Sequence, residues 1–117
     1  MQVLICDDDK DLSELLSEQL VKRGYNVLVA NSGYKVLELI SSQEVDLVIT
    51  DYWMRDGDGG MVANLCKDKG INCIVATGAR LEEIKPYVPS TTTVVDKLHF
   101  LDKLSQDTQP LDLLKVS

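Results

Sequence analysis

Residues 3–11 read VLICDDDKD. Four apolar residues run directly into three consecutive carboxylates, Asp7, Asp8 and Asp9. The apolar part does not alternate with polar residues, as a strand with one wet face would. It is apolar throughout, which suits a strand buried on both faces of a parallel sheet. Four further runs of this kind follow, at 26–30, 46–50, 72–76 and 92–96.

Between the runs the apolar period changes to that of a helix. Residues 11–23 place Leu12, Leu15, Leu16 and Leu20 on one face and stop at Gly24. Asp11-Leu12-Ser13-Glu14 resembles a capping box, with Asp9 as a competing cap. Residues 32–40 repeat the pattern with Val36, Leu37 and Ile40, and residues 60–69 with Val62, Leu65 and Cys66 before Gly70. The fourth helix is weak, because residues 80–85 offer only Leu81 and Ile84 before Pro86 and Pro89 break it. After the fifth run, Leu98, Leu101 and Leu104 form a short stripe. Residues 1–105 are the expected domain, and residues 106–117 a tail or the end of the last helix. Strands alternating with helices make a βαβ series, whose right-handed crossovers put helices on both faces of a parallel sheet.

A chain of 117 residues fits one domain. Hydrophobic content of 44% and charged content of 26% place it among ordinary globular proteins rather than disordered ones. The net charge of −7 repels a polyanion, and the densest basic run is only Lys67 and Lys69 around Asp68, so direct nucleic-acid binding is not expected. Cys6, Cys66 and Cys73 lack CxxC spacing, and Cys6 and Cys73 sit inside apolar runs. They read as buried reduced thiols, not as a disulfide or zinc site. No apolar run approaches the roughly 18 residues of a membrane span, and no leader pattern opens the chain, so a cytoplasmic protein is expected.

In parallel α/β sheets ligands bind beyond the carboxyl ends of the strands. Those ends carry Asp7, Asp8 and Asp9, then Asp51, Thr77 and Lys97. The second run ends in Asn31, which reads as a helix-entry residue. Crowded carboxylates repel, and a bound hard cation removes the cost of keeping them ionised. Mg²⁺ takes oxygen ligands, usually one or two carboxylates with waters and a phosphate oxygen. Asp8 and Asp51 are candidates for direct ligation, and Asp7 for ligation through a water. An Asp carboxylate can also act as a nucleophile and form an acyl phosphate. Lys97 can then pair with phosphoryl oxygens, and Thr77 can donate its hydroxyl to another. These are the parts phosphoryl transfer needs.

Each residue also has a plainer reading. Asp9 and Asp11 suit helix caps, and Asp7 and Asp8 a solvated loop. Asp51 alone suits a turn, Thr77 a hydroxyl bonded to backbone, and Lys97 a solvated surface. The functional reading gains its weight because one topology brings all these positions to the same edge. His99 is the only histidine and has no neighbouring ligand pair, so it is given no metal or catalytic role. Trp53 and Met54 suit either loop residues half-covering the site or packing anchors, and packing is the preferred reading.

With these residues in view, the chain resembles the receiver domains of two-component response regulators over residues 2 to about 105. The likeness rests on VLICDDD (3–9), DLVITDYWM (46–54) followed by DGDGG (56–60), IVATGA (74–79) and TVVDK (93–97). It implies a flavodoxin-like, doubly wound, five-stranded parallel sheet in the order 2-1-3-4-5 with helices on both faces. It implies that Asp51 is the phosphoacceptor, that Asp7 and Asp8 organise Mg²⁺, and that the Trp53 carbonyl is a further metal ligand. By the same resemblance the Thr77 hydroxyl and Lys97 meet the phosphoryl group, and Asp58-Gly59 matches the turn after the acceptor loop. The implied partner is a sensor histidine kinase or a histidine phosphotransfer protein, docked in part through the first helix. The implied role is a signalling switch that catalyses only its own phosphorylation and slow dephosphorylation. The downstream effector is not named by the sequence.

Three positions depart from the family pattern: Arg55 and Leu98 each replace a Pro, and Val94 replaces a common aromatic switch residue. A cis bond before Leu98 would cost about 2.5–4 kcal/mol, so a trans bond is expected there. The departures lie mainly on the output side, so intact chemistry with an unusual readout is expected. One alternative is a degenerate receiver that docks without phosphorylation. Another is a small haloacid-dehalogenase-type phosphatase using Asp7-Asp8-Asp9, although Leu98-His99-Phe100 lacks the acidic pair expected after the lysine. A flavodoxin-like nucleotide binder would need a Gly-rich phosphate loop where three carboxylates stand.

Overall fold

The computed structural model describes residues 1–54 and 56–106. Strand β1 (Gln2–Cys6) lies between β2 (Asn26–Ala30) and β3 (Leu47–Asp51), parallel to both. Strand β3 pairs in parallel with β6 (Asn72–Thr77), and β6 with β7 (Thr93–Asp96). The sheet order β2-β1-β3-β6-β7 is the doubly wound order expected from the resemblance. A two-stranded hairpin, β4 (Trp53–Met54) and β5 (Gly57–Asp58), follows β3 directly and was not foreseen from the sequence. The helices are α1 (Lys10–Lys22), α2 (Gly33–Ser42), α3 (Gly59–Lys69), α4 (Leu81–Ile84) with a 3-10 turn at Lys85–Tyr87, and α5 (Lys97–Ser105).

The unbroken apolar runs follow from this layering. Successive side chains of a strand point to opposite faces. Leu4 and Cys6 therefore join Val48, Val75, Val36, Val62 and Cys66 in one core. Val3 and Ile5 join Ile49, Ile74, Leu16, Leu20, Phe100 and Leu104 in the other. Each fully buried aliphatic side chain contributes about 1.5–3 kcal/mol, so both faces are needed to offset chain entropy. All three cysteines are free and buried, as expected. Among the described residues, no helix is long and apolar enough to cross a membrane.

Several local expectations need correction. Of the two caps open for α1, Asp9 is the one used: its carboxylate accepts the Leu12 amide hydrogen at 3.2 Å, and the helix starts at Lys10. Leu15 and Leu37 are exposed by 44% and 39%, since the faces of α1 and α2 against the sheet are narrower than the apolar stripes. In α5 the packing residues are Phe100 and Leu104, one helical turn apart, while Leu98 is 77% exposed. Helix α4 tightens into the 3-10 turn at Pro86, whose ring removes a backbone donor. The expected tail or helix end at 107–117, including Leu111 and Val116, lies outside the described residues, as does Arg55.

Candidate functional site

The carboxyl ends of β1 and β3 lie side by side, with Cys6 opposite Thr50 in the register. The next residues are Asp7 on one strand and Asp51 on the other, so adjacent parallel strands deliver two carboxylates to one edge. Asp7, Asp8 and Asp51 each offer an oxygen, and these oxygens all lie within 4.8 Å of one another. Asp7 is buried and fixed at both ends. Its amide donates to the Ala30 carbonyl at 3.1 Å, and its Oδ1 accepts the Asp9 amide hydrogen at 2.8 Å. Asp51 Oδ1 accepts the Tyr52 amide hydrogen at 2.8 Å.

Lys97 closes the cluster from the end of β7. Its ammonium lies 2.8 Å from Asp7 Oδ2 and 3.3 Å from Asp51 Oδ2. No peptide bond among the described residues is cis, so Lys97 reaches the acids with a trans bond to Leu98, as expected. Burial alone would push the Lys97 ammonium down, but its contacts with Asp7 and Asp51 outweigh that and raise it. Burial raises the Asp51 carboxyl, with the charge of Asp7 adding to the effect, while Lys97 and the Tyr52 amide oppose it. The net shift at Asp51 is upward because burial, with the charge of Asp7, outweighs the Lys97 ammonium and the Tyr52 amide. Burial also pushes the neighbouring Cys6 thiol up to about 12, so it is no nucleophile at neutral pH.

Thr77 ends β6 beside Asp51, whose register partner is Ala76. It is fully buried, and its hydroxyl oxygen accepts the Ala79 amide hydrogen at 3.0 Å. Accepting that bond leaves the hydroxyl proton available for donation. Trp53 is not the packing anchor it was read as. It is 64% exposed and packs at right angles against the ring of Tyr52, with ring centroids 4.8 Å apart. Tyr52 is the buried anchor, while Trp53, paired with Asp58 in the hairpin, faces outward.

Two residues of the DGDGG stretch hold the site: Gly59, which the resemblance placed only in the turn after the acceptor loop, and Asp56, which the sequence did not single out. Gly59 opens α3 directly beneath Asp51, with its amide donating to the Tyr52 carbonyl at 2.6 Å. A Cβ there would lie 2.8 Å from both the Asp51 carbonyl oxygen and Tyr52 Cα. Gly59→Ala is therefore expected to destabilise the protein by about 1–3 kcal/mol, read as a lower urea midpoint. An unchanged midpoint would mean that α3 does not pack this closely. The second residue is Asp56, whose carboxylate accepts the Gly33 amide hydrogen at 2.8 Å and the Tyr34 amide hydrogen at 3.4 Å. The DGDGG stretch contained both residues, but only pairing across the fold separates their roles.

A family model described as the response regulator receiver domain matches residues 3–108. Among curated proteins, the chain is 42% identical over 57 residues to the Escherichia coli transcriptional regulatory protein GlrR, covering 49% of this chain and 13% of that protein. It is 39% identical over 72 residues to the Escherichia coli protein ZraR, covering 62% of this chain and 16% of that one. The chain thus spans only a small part of the length of these relatives. Among solved structures, the response regulator TrrA of Thermotoga maritima, crystallised with Mg²⁺ and BeF, superposes with a TM-score of 0.76 at 28% identity, over 97% of each chain. A receiver protein from Sinorhizobium medicae matches in fold with a TM-score of 0.77 at 23% identity, over 98% of this chain and 94% of that one. The carboxylate cluster thus stands on the sheet edge of a known architecture, and this chain belongs to the family of response regulator receiver domains.

Proposed function

We propose that Asp51 accepts a phosphoryl group from a phosphohistidine donor and that the chain acts as a phosphorylation-controlled signalling switch. One observation carries the reading: Asp7, Asp8 and Asp51 converge within 4.8 Å, with the Lys97 ammonium in contact with two of them. Three hard oxygen donors against one ammonium fit a divalent cation of the Mg²⁺ class. Asp8 and Asp51 would hold it directly, Asp7 through a water, and the Trp53 carbonyl would complete the protein ligands. The TrrA relative, crystallised with Mg²⁺ and BeF, supports this by similarity. When bound, the cation would offset charge on the phosphoryl oxygens.

The chain's own residues do the rest. The Tyr52 amide holds one oxygen of Asp51 and so fixes the plane of the carboxylate. An Asp51 oxygen forms a bond to phosphorus as the donor's nitrogen–phosphorus bond breaks, and that bonding pair leaves with the imidazole. Ionised Asp51 has no proton to lose. Lys97 and the Thr77 hydroxyl would meet the transferred oxygens, and the same groups would orient the slow hydrolysis that resets the switch.

The donor would be a sensor histidine kinase or a histidine phosphotransfer protein in the cytoplasm, with α1 contributing to docking. Direct nucleic-acid contact is no part of the proposal, given the net charge of −7. Incubation with a small phosphodonor and Mg²⁺ is expected to add one phosphate by mass spectrometry, and EDTA to prevent it. Absence of an adduct with acyl phosphate and phosphoramidate donors alike would overturn the reading and favour a docking module.

A further inference from the structure

The loop that leaves Asp51 is tied to α2, the helix that packs on β1 and β2. Asp56 sits in the turn of the β4–β5 hairpin, and its carboxylate bonds the first amides of α2, 23 residues away in the chain. Helix α2 already has its own cap, because Ser32 Oγ accepts the Lys35 amide hydrogen at 3.2 Å. The Asp56 bonds are thus a second set at the same terminus, made from another element. The contact is tight: a Cβ on Gly33 would lie 2.8 Å from the Asp56 carbonyl oxygen and 2.7 Å from Met61 Cε.

We propose that Asp56 is a positioning residue for cation binding: by clamping the hairpin turn to α2, it holds the Asp51–Trp53 backbone in the geometry that the metal ligands require. The inference rests on the phosphoacceptor reading above. Hydrogen bonds hold the hairpin at both its base and its tip. The Tyr52 amide binds Asp51 Oδ1 and the Gly59 amide binds the Tyr52 carbonyl, so both lie at its base. Asp56 supplies the tie at its tip. Without it, Trp53 and Met54 keep their pairing to Asp58 and Gly57, a two-residue ladder that is weak by itself, and the contact of Met54 Sδ with the Cys6 thiol at 3.1 Å. A helix N-terminus favours a carboxylate both through its free amides and through its dipole, so the clamp is stronger than a neutral hydrogen bond.

The test compares two caps of one helix. Trp53, the only tryptophan, reports Mg²⁺ binding by its fluorescence. Asp56→Ala is expected to weaken Mg²⁺ binding about tenfold, as loss of a supporting partner commonly does. Asp56→Asn, which keeps one acceptor oxygen, should fall between. Gly33→Ala, which crowds the turn, should also bind Mg²⁺ more weakly. Ser32→Ala should lower the denaturation midpoint through the lost cap yet leave Mg²⁺ affinity unchanged. Equal affinity of Asp56→Ala and the natural protein overturns the proposal, as does an equal loss in Ser32→Ala, since affinity would then follow helix stability alone. If Asp56→Ala does not fold, Asp56→Asn and Gly33→Ala decide by the same comparison. A natural protein that neither binds Mg²⁺ nor accepts phosphate overturns the phosphoacceptor reading itself. Mg²⁺ binding that Asp56 variants do not alter overturns only the role of Asp56.

Discussion

Asp51→Asn is expected to abolish the phosphate adduct completely while making the metal-free protein more stable. The first effect follows from chemistry: an amide oxygen beside Tyr52 is a poor nucleophile, and Asp7, which also contacts Lys97, already commits its other oxygen to the Asp9 amide. The second follows from electrostatics. Burial and the charge of Asp7 raise the Asp51 carboxyl above its ordinary 3.8, so the folded protein holds that proton more tightly than the unfolded chain. Ionising Asp51 therefore costs stability, and the loss develops as pH rises from about 3.8 through the folded value. The Asn variant has no such loss. Its advantage in urea should be small in acid and grow toward neutral pH, in the absence of Mg²⁺. An adduct that survives in Asp51→Asn would move the acceptor to Asp7 or Asp8. A variant less stable than the natural protein at neutral pH would show that the Lys97 contact outweighs the desolvation of Asp51.

Lys97→Met is expected to destabilise the metal-free protein by about 2–3 kcal/mol, below the 3–5 kcal/mol of a fully buried pair because the lysine keeps some exposure. The side chains of Lys97 and Asp7 are 15% and 3% exposed, so removing the ammonium leaves Asp7 buried without its cation. The melting temperature should fall by about 8–12 °C. Saturating Mg²⁺ should recover much of this, because a divalent ion among the same carboxylates replaces the missing positive charge. Phosphorylation should remain slower by about a hundredfold even when the variant is folded, since a donor to the transferred oxygens is gone. A loss of stability that Mg²⁺ does not relieve would place the contribution of Lys97 in packing rather than in charge.

The fold was legible because its signals are local. Apolar runs without alternation at 2–6 and 72–76 suit strands covered on both faces, and the helical periods between them supply the covers; the run at 26–30 reads the same way but forms an edge strand with Val29 exposed. The site was legible for a related reason: a parallel sheet brings its carboxyl ends to one edge, so residues just after each strand become neighbours however far apart they lie in the chain. That placed Asp7, Asp8, Asp51 and Lys97 before any distance was known. Side-chain depth was less legible. Leu15, Leu37 and Leu98 fit a helical stripe but lie outside the contact that a sheet makes with a helix. Trp53 and Tyr52 are adjacent aromatics, and sequence offers no means of telling which one the hairpin turns inward.

The chain's order of residues thus determined the sheet, its helical covers and the edge where the acids gather. Tertiary structure alone decided that Lys97 rests 2.8 Å from Asp7, that Gly59 must lack a side chain, and that Asp56 ties the acceptor loop to α2. The reason is range. Periodicity and strand ends are set by interactions within a few residues, whereas these three contacts depend on how separate elements approach one another, to within a fraction of an ångström.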